Sequence, residues 1–287
     1  MLALLCLLGL TACATQSAEE LAAQEKRLAG LRVDTFNGLR VICLQAPPAG
    51  CPSTTASPFM INDTDKSTFV ALVDKGPSAS GFRANQTLVN RRAFVFASSF
   101  SNNRDIEILV NAEDNPDINQ ARQKAVELAT VLGRMPSCVL KEVKEAKIQN
   151  SSGVGLDRGG VPASALPATS SIFIFEDIWG RTKQDRSSEE VLLHELAHIL
   201  FDNSNTGYAT AAYKNAVAAD GAYVSRYAAG IVATTGAQGD REDVAESFVA
   251  YYGAKFRAER VGAFFTNSVK TAIPNRFAYF EKFCPTV

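Results

Sequence analysis

The chain has 287 residues, with 29 Lys and Arg against 30 Asp and Glu, a net charge of -1 and 46% hydrophobic residues. That is the composition of a folded globular protein, long enough for one large domain or two small ones. There is no basic excess and no Lys/Arg cluster, which argues against nucleic acid as a partner.

In chain order, Met1 to Ala12 is uncharged and apolar but too short to span a bilayer. It has the character of the apolar part of a secretory signal. Leu10-Thr11-Ala12-Cys13 resembles the lipobox of bacterial lipoproteins, although no Lys or Arg precedes the apolar run. The resemblance implies a signal peptide over residues 1–12, a lipid on Cys13 and attachment to the cell envelope. Ala14 after Cys13, by likeness to Gram-negative lipoproteins, points to the outer membrane. Residues 13–30, rich in Ala, Glu, Gln and Lys, read as a tether or a short helix. One catalytic domain is expected over 31–287.

Cys6 falls in the signal and Cys13 in the lipobox, which leaves Cys43, Cys51, Cys138 and Cys284. An even number in an exported chain suggests two disulfides, for which three connectivities exist. The preferred pairing is Cys43–Cys51, closing a short loop with Pro47, Pro48 and Gly50, and Cys138–Cys284, tying the C-terminus to the end of a helix.

Strands are expected over Leu39–Gln45, Phe69–Asp74, Arg92–Ser99 and Ile106–Val110. Gly76, Pro77, Gly81 and Asn85 bound the second and third of these. Asn115-Pro116-Asp117 should open a helix with proline at an early position. Its apolar residues Ile118, Ala121, Ala125, Leu128, Ala129 and Leu132 follow helical spacing, and Gly133 with Pro136 should end it. Val139–Ile148 alternates and reads as a strand. The glycine-rich stretch Asn150–Thr169 reads as a long surface loop. Ser171–Glu176 is a strong strand.

Ser187 to Leu200 should form a buried helix, opened by a Ser187/Glu190 capping box. Tyr208–Ala219 is helical in pattern. A loop carrying Gly230, Gly236 and Gly239 should follow, then an acid-bearing helix over Asp240–Tyr252. The rest should be helical, with Phe264, Phe265, Phe277, Tyr279 and Phe280 in its core.

The buried helix carries the chemistry. Both histidines of the chain lie in it, as His194-Glu195-Leu196-Ala197-His198. Positions i and i+4 share a helix face, so the two imidazoles can bind one ion, with Glu195 beside them. The bland alternative is a core helix whose histidines hydrogen-bond internally. A catalytic zinc usually has three protein ligands and an open position. No third histidine exists, and Phe201 and Ser204 stand where the metzincin pattern needs Gly and His. Glu242 and Glu246, four apart on the later helix, are the best source. Two carboxylates on one buried face suggest one metal ligand and one acceptor for the far ring N–H of a ligating histidine. Asp243 is expected to face solvent or to cap.

Tyr223-Val224-Ser225-Arg226-Tyr227-Ala228, a loop, and Glu242-Asp243-Val244-Ala245-Glu246-Ser247-Phe248 resemble the zinc-binding pattern of peptidases similar to the anthrax lethal factor catalytic domain. The loop between Tyr227 and Glu242 is longer here. The resemblance implies Glu242 as third zinc ligand, Glu246 as support for a histidine, and Tyr227 (otherwise Tyr223) as oxyanion stabiliser. The implied fold is α+β and zincin-like: a mixed twisted sheet, a backing helix, an active-site helix and a helical C-terminal part. The expected activity is Zn²⁺-dependent endopeptidase cleavage of a peptide or protein, with Glu195 as general base. Ile172, Phe173, Ile174 and Phe175 are expected to form the sheet edge on which substrate adds as a strand. The rival is an inactive zincin-fold lipoprotein that binds a protein or a metal.

Overall fold

Six strands assemble one mixed sheet in the order β3-β4-β5-β6-β8-β7. The computed structural model describes residues 16–46, 51, 54, 60–84, 87–150, 163–176, 179, 188–202, 207–235 and 239–286. The signal, Cys13 and Ser187 lie outside these residues. Among the described residues, no helix is long and apolar enough to cross a membrane.

A small ribbon comes first, with β1 (Val33–Phe36) and β2 (Leu39–Ile42) antiparallel. Its turn, Asn37-Gly38, has positive φ at both positions (51° and 79°), the geometry that two-residue hairpins require and that Asn-Gly supplies.

In the main sheet, β3 (Phe69–Ala84) and β4 (Thr87–Phe100) form a hairpin much longer than expected. Gly76, Pro77 and Gly81 lie inside β3 rather than bounding it. The ladder shifts register between Asp74 and Gly76, where Gly76 has φ 83°. A bulge with glycine absorbs the irregularity. Pro77 is tolerated because β3 is the outer strand. Next to β4 lie β5 (Arg104–Asn111), then β6 (Glu145–Gln149) and β8 (Ser171–Phe175), joined in parallel. β7 (Ala163–Leu166) closes the described sheet, antiparallel to β8.

This order corrects one expectation. Ile172, Phe173, Ile174 and Phe175 do not form the edge: β8 is an inner strand, fully buried, between β6 and β7. Parallel pairing on one side and β7 on the other use both of its ladders. On that side the edge strand among the described residues is β7, from within the segment read as a loop.

One face of the sheet carries helices. α2 (Ile118–Leu132) backs it, burying Ala121, Ala125, Leu128, Ala129 and Leu132. Asp117 is its N-cap, bonding the Asn119 N–H, so Pro116 precedes the helix instead of starting it. The segment read as one strand splits into α3 (Ser137–Leu140), which begins after Pro136, and β6. α4 (Ser188–Phe201) packs against β7, β8 and α3. Glu190 spends its carboxylate on the Met60 and Ile61 N–H groups, at 2.8 and 3.4 Å.

On the opposite face the far half of the β3–β4 hairpin folds back over β6. The Arg83 N–H donates to Gln149 Oε1 (2.9 Å), and Gln149 Nε2 donates to the Arg83 carbonyl (3.0 Å). Lys147 Nζ bonds Ser80 Oγ and the Gly81 carbonyl. Phe82 is buried beneath with Ala93, Val95 and Leu109.

Among the described residues five further helices follow: α5 (Ala211–Asp220), α6 (Arg226–Thr235), α7 (Gly239–Phe256), α8 (Ala258–Ala272) and α9 (Pro274–Glu281). Gly230 is helical, in α6, where a loop was expected. Phe201, Phe248, Tyr251 and Phe280 meet at ring separations of 5.3–5.8 Å. Cys43–Cys51 and Cys138–Cys284 are disulfide-bonded; the second ties the chain after α9 to α3.

The N-terminal segment is also more than a tether. α1 (Ala18–Leu28), capped by Ser17 and Glu20, buries Gln24 and Leu28. Gln24 and Arg27 donate to the Ala218, Ala219 and Asp220 carbonyls at the end of α5. These are the acceptors a helix end leaves unsatisfied.

Candidate metal centre

α4 and α7 lie side by side. His194 and His198, one turn apart on α4, face Glu242 and Glu246, one turn apart on α7. Three atoms converge: His194 Nε2 to His198 Nε2 is 3.1 Å, His194 Nε2 to Glu242 Oε2 is 3.3 Å, and His198 Nε2 to Glu242 Oε2 is 3.4 Å. His194, His198 and Glu242 could hold a metal ion. A tetrahedral ion with N and O ligands at about 2.0–2.1 Å places those ligands roughly 3.3 Å apart. The observed triangle matches that edge length on all three sides.

The backs of the rings set their tautomers. His194 Nδ1 lies 3.0 Å from Glu246 Oε1, and His198 Nδ1 lies 3.2 Å from Asp202 Oδ2. Arg241 Nε also bonds Asp202 Oδ2. Each Nδ1 therefore carries the proton toward its carboxylate, and each Nε2 presents a lone pair to the other and to Glu242. Such facing lone pairs need positive charge between them, from protons or from a cation. The electrostatics agree. Burial pushes both imidazole pKa values down, but Glu242 with Glu246 at His194, and Asp202 with Glu242 at His198, hold them above the usual value. Burial would raise Glu242, yet the two imidazoles hold it well below the carboxylate range.

Glu195 is half-buried beside this triangle. Its Oε2 accepts the Ala165 N–H at 2.7 Å; its Oε1 has no hydrogen-bond partner among the described residues. The Ala165 carbonyl accepts from Arg83 Nη2 at 3.0 Å. Both backbone groups of Ala165 thus point away from β8, along the outer edge of β7. Burial lowers the Arg83 pKa, and Glu195 opposes that shift.

Tyr227, in the first turn of α6, has its ring centroid 6.3 Å from that of His194. Burial and the nearby Glu242, Glu195 and Glu246 raise its pKa, so the phenol keeps its proton. Tyr223 lies elsewhere, its ring 6.0 Å from Arg276. Of the two tyrosines, the fold brings Tyr227 to the histidines.

Asp243 departs from expectation. It is fully buried, about 100° round α7 from Glu242, and takes two bonds from Arg276 Nη1 (2.7 and 2.9 Å) and one from the Tyr213 hydroxyl (2.7 Å). Arg276, also fully buried, bonds Asp220 Oδ2 at 3.0 Å. This network fixes how α7 is rolled, and so where Glu242 points.

Sequence reasoning did not single out Asp202, Arg241, Arg83 or Ala165. Asp202 was findable, because it stands four residues after His198 on the same helix face. Arg241 was findable with it, as the neighbour of Glu242. Arg83 and Ala165 carry no local signal.

Comparisons of this chain with protein-family models, curated proteins and solved structures give no match. What fold and site define is an α+β protein with a mixed six-stranded sheet and a His-His-Glu triad that could hold a metal ion.

Proposed function

We propose that the protein is a zinc metallopeptidase of the zincin kind, similar to the anthrax lethal factor catalytic domain. One observation carries the reading: three ligand atoms at 3.1–3.4 Å spacing, with both imidazoles backed by carboxylates and Glu195 on the same helix. Two imidazoles and one carboxylate suit zinc and leave a fourth position for water. When bound, zinc lowers the pKa of its water to about 7 and polarises a substrate carbonyl.

The chain's own groups do the rest. Glu195 receives the proton of the attacking water at Oε1 and delivers it to the leaving amine. The Ala165 N–H holds Oε2 and fixes the carboxylate's aim. Tyr227, neutral at physiological pH, donates to the negative charge that develops on the carbonyl oxygen. Glu246 and Asp202 hold both rings by Nδ1, which leaves both Nε2 atoms to face the metal. An extended peptide or protein substrate lies beside β7, whose outward backbone groups at Ala165 are taken by Glu195 and Arg83.

The enzyme is proposed to be exported and held at the outer membrane by a lipid on Cys13. The support is the apolar run 1–12 and Leu10-Thr11-Ala12-Cys13. α1 starts a few residues later and is part of the domain, so such an anchor holds the catalytic domain near the bilayer.

Purified protein should contain one zinc per chain and cleave casein or a peptide library, and a chelator should stop cleavage. Glu195→Gln should retain the zinc and lose activity by about 10²–10⁴-fold. Cleavage by Glu195→Gln at the wild-type rate refutes the general-base role. Stoichiometric zinc in a wild-type protein that cleaves nothing favours the metal- or protein-binding module instead.

A further inference from the structure

Around the metal centre the charged side chains are mostly acidic: Glu195, Glu242, Glu246 and Asp202. Among the described residues, two cations accompany them. Arg241 is bound to Asp202. Arg83 makes no ion pair with a described acid: its guanidinium lies 5.1 Å from the Phe173 ring centroid and gives one N–H, from Nη2, to the Ala165 carbonyl. A guanidinium has five N–H donors, so four have no partner among the described residues.

Arg83 is not needed to hold its hairpin down. Its own backbone is bonded twice to Gln149, and Lys147 bonds Ser80 and Gly81 beside it. A half-buried cation costs more than an apolar side chain at the same place. Its location is informative. Glu195 and Arg83 grip the N–H and C=O of one residue, Ala165, on the outer edge of β7. They therefore flank a single residue of that strand. Glu195 marks the bond to be cut.

We infer that Arg83 is a carboxylate-binding subsite, selecting peptides that carry an acidic group within one residue of the scissile bond. This rests on the peptidase reading above. The planar fork of Arg83 can grip a carboxylate bidentately while the ring of Phe173 supports its face. Without that cation, Glu195 and Glu242 would repel such a substrate. The carboxylate can come from an Asp or Glu side chain or from the free C-terminus of the peptide.

The test uses zinc-loaded protein and fluorescent peptides in three forms: an internal Asp with an amidated C-terminus, its Asn counterpart with an amidated C-terminus, and the Asn peptide with a free C-terminus. Cleavage is scored as kcat/KM and binding by anisotropy. Wild type should prefer a carboxylate form over the neutral one by about tenfold or more, and whichever form is preferred identifies the source. Arg83→Gln should bring that ratio near one, Arg83→Lys should keep part of it, and Arg83→Glu should reverse it in favour of a Lys-bearing peptide. Melting temperature and zinc content serve as fold controls. Carboxylate binding that depends on Arg83 without any cleavage upholds the carboxylate subsite and overturns the hydrolase reading together with the subsite's place beside a scissile bond. Cleavage with no carboxylate preference, or a preference unchanged in Arg83→Gln, overturns the inference alone. Neither binding nor cleavage overturns both.

Discussion

The two carboxylates behind the histidines should not be worth the same. Glu246 lies 3.0 Å from His194 Nδ1, and its side chain is 4% exposed. Asp202 lies 3.2 Å from His198 Nδ1 and is as well buried, but Arg241 also bonds it and cancels part of its charge. Each contact holds the imidazole in the tautomer that points a lone pair at the ion, and each adds negative charge behind a ligand. Loss of such a partner typically costs 10–100-fold in metal affinity, or about 1.4–2.7 kcal/mol at 1.4 kcal/mol per tenfold. Glu246→Gln removes the buried carboxylate that makes the shorter contact to an imidazole Nδ1 and should fall near the upper end, around 100-fold. Asp202→Asn removes a charge already shared with Arg241 and should fall near tenfold. Zinc dissociation constants from competition with a chromophoric chelator separate the two, with melting temperatures as a check on folding. Equal affinities for Glu246→Gln and wild type, or a larger loss in Asp202→Asn, would refute this account of the site.

Other outcomes follow from the same structure. Burial of Glu190 outweighs the Met60, Ile61 and Glu190 backbone N–H groups and pushes its pKa up to about 7. The folded protein then binds a proton that the unfolded chain releases near pH 4.5, so stability falls as pH rises from about 4.5 to about 7 and is level above. Glu190→Gln should flatten that slope and raise the melting temperature at pH 8 by several degrees; an unchanged slope contradicts the assignment. Arg276→Met would leave Asp220 and Asp243 buried and unpaired, a loss of about 3–5 kcal/mol, and should lower both the denaturant midpoint and zinc affinity, because Asp243 adjoins Glu242. In the chain-entropy model, the Cys138–Cys284 bridge, with 146 residues of separation, stabilises by about 5 kcal/mol, and Cys43–Cys51, with 8, by about 2.5 kcal/mol. Replacing both cysteines of the first bridge with alanine should therefore cost more in urea denaturation than replacing both of the second.

What could be read from the chain alone follows the range of the physics involved. His194, Glu195 and His198 are placed by the period of a single helix, as are Glu242 and Glu246, so their shared faces were legible without a fold. That the two helices meet was available only by resemblance. β7 was illegible because Ala163-Ser164-Ala165-Leu166 has little strand preference of its own; pairing with β8 makes it a strand. Gly76 and Pro77 looked like stops because a bulge on an outer strand is a tertiary accommodation. Asp243 looked exposed because its partner, Arg276, is 33 residues away in sequence. Arg83 reaches the site only because the hairpin folds back across the sheet. The disulfide pairing was legible because one pair closes a short loop and leaves the other no choice.

Everything rests on one cation gripped by three side chains from two helices. Anomalous diffraction at the zinc edge, from crystals of the protein purified without added metal, tests this most directly. The expected result is a single peak about 2.0–2.2 Å from His194 Nε2, His198 Nε2 and Glu242 Oε2. A peak elsewhere, or none, with the two imidazoles and the Glu242 carboxylate hydrogen-bonded to one another in its place, would contradict it.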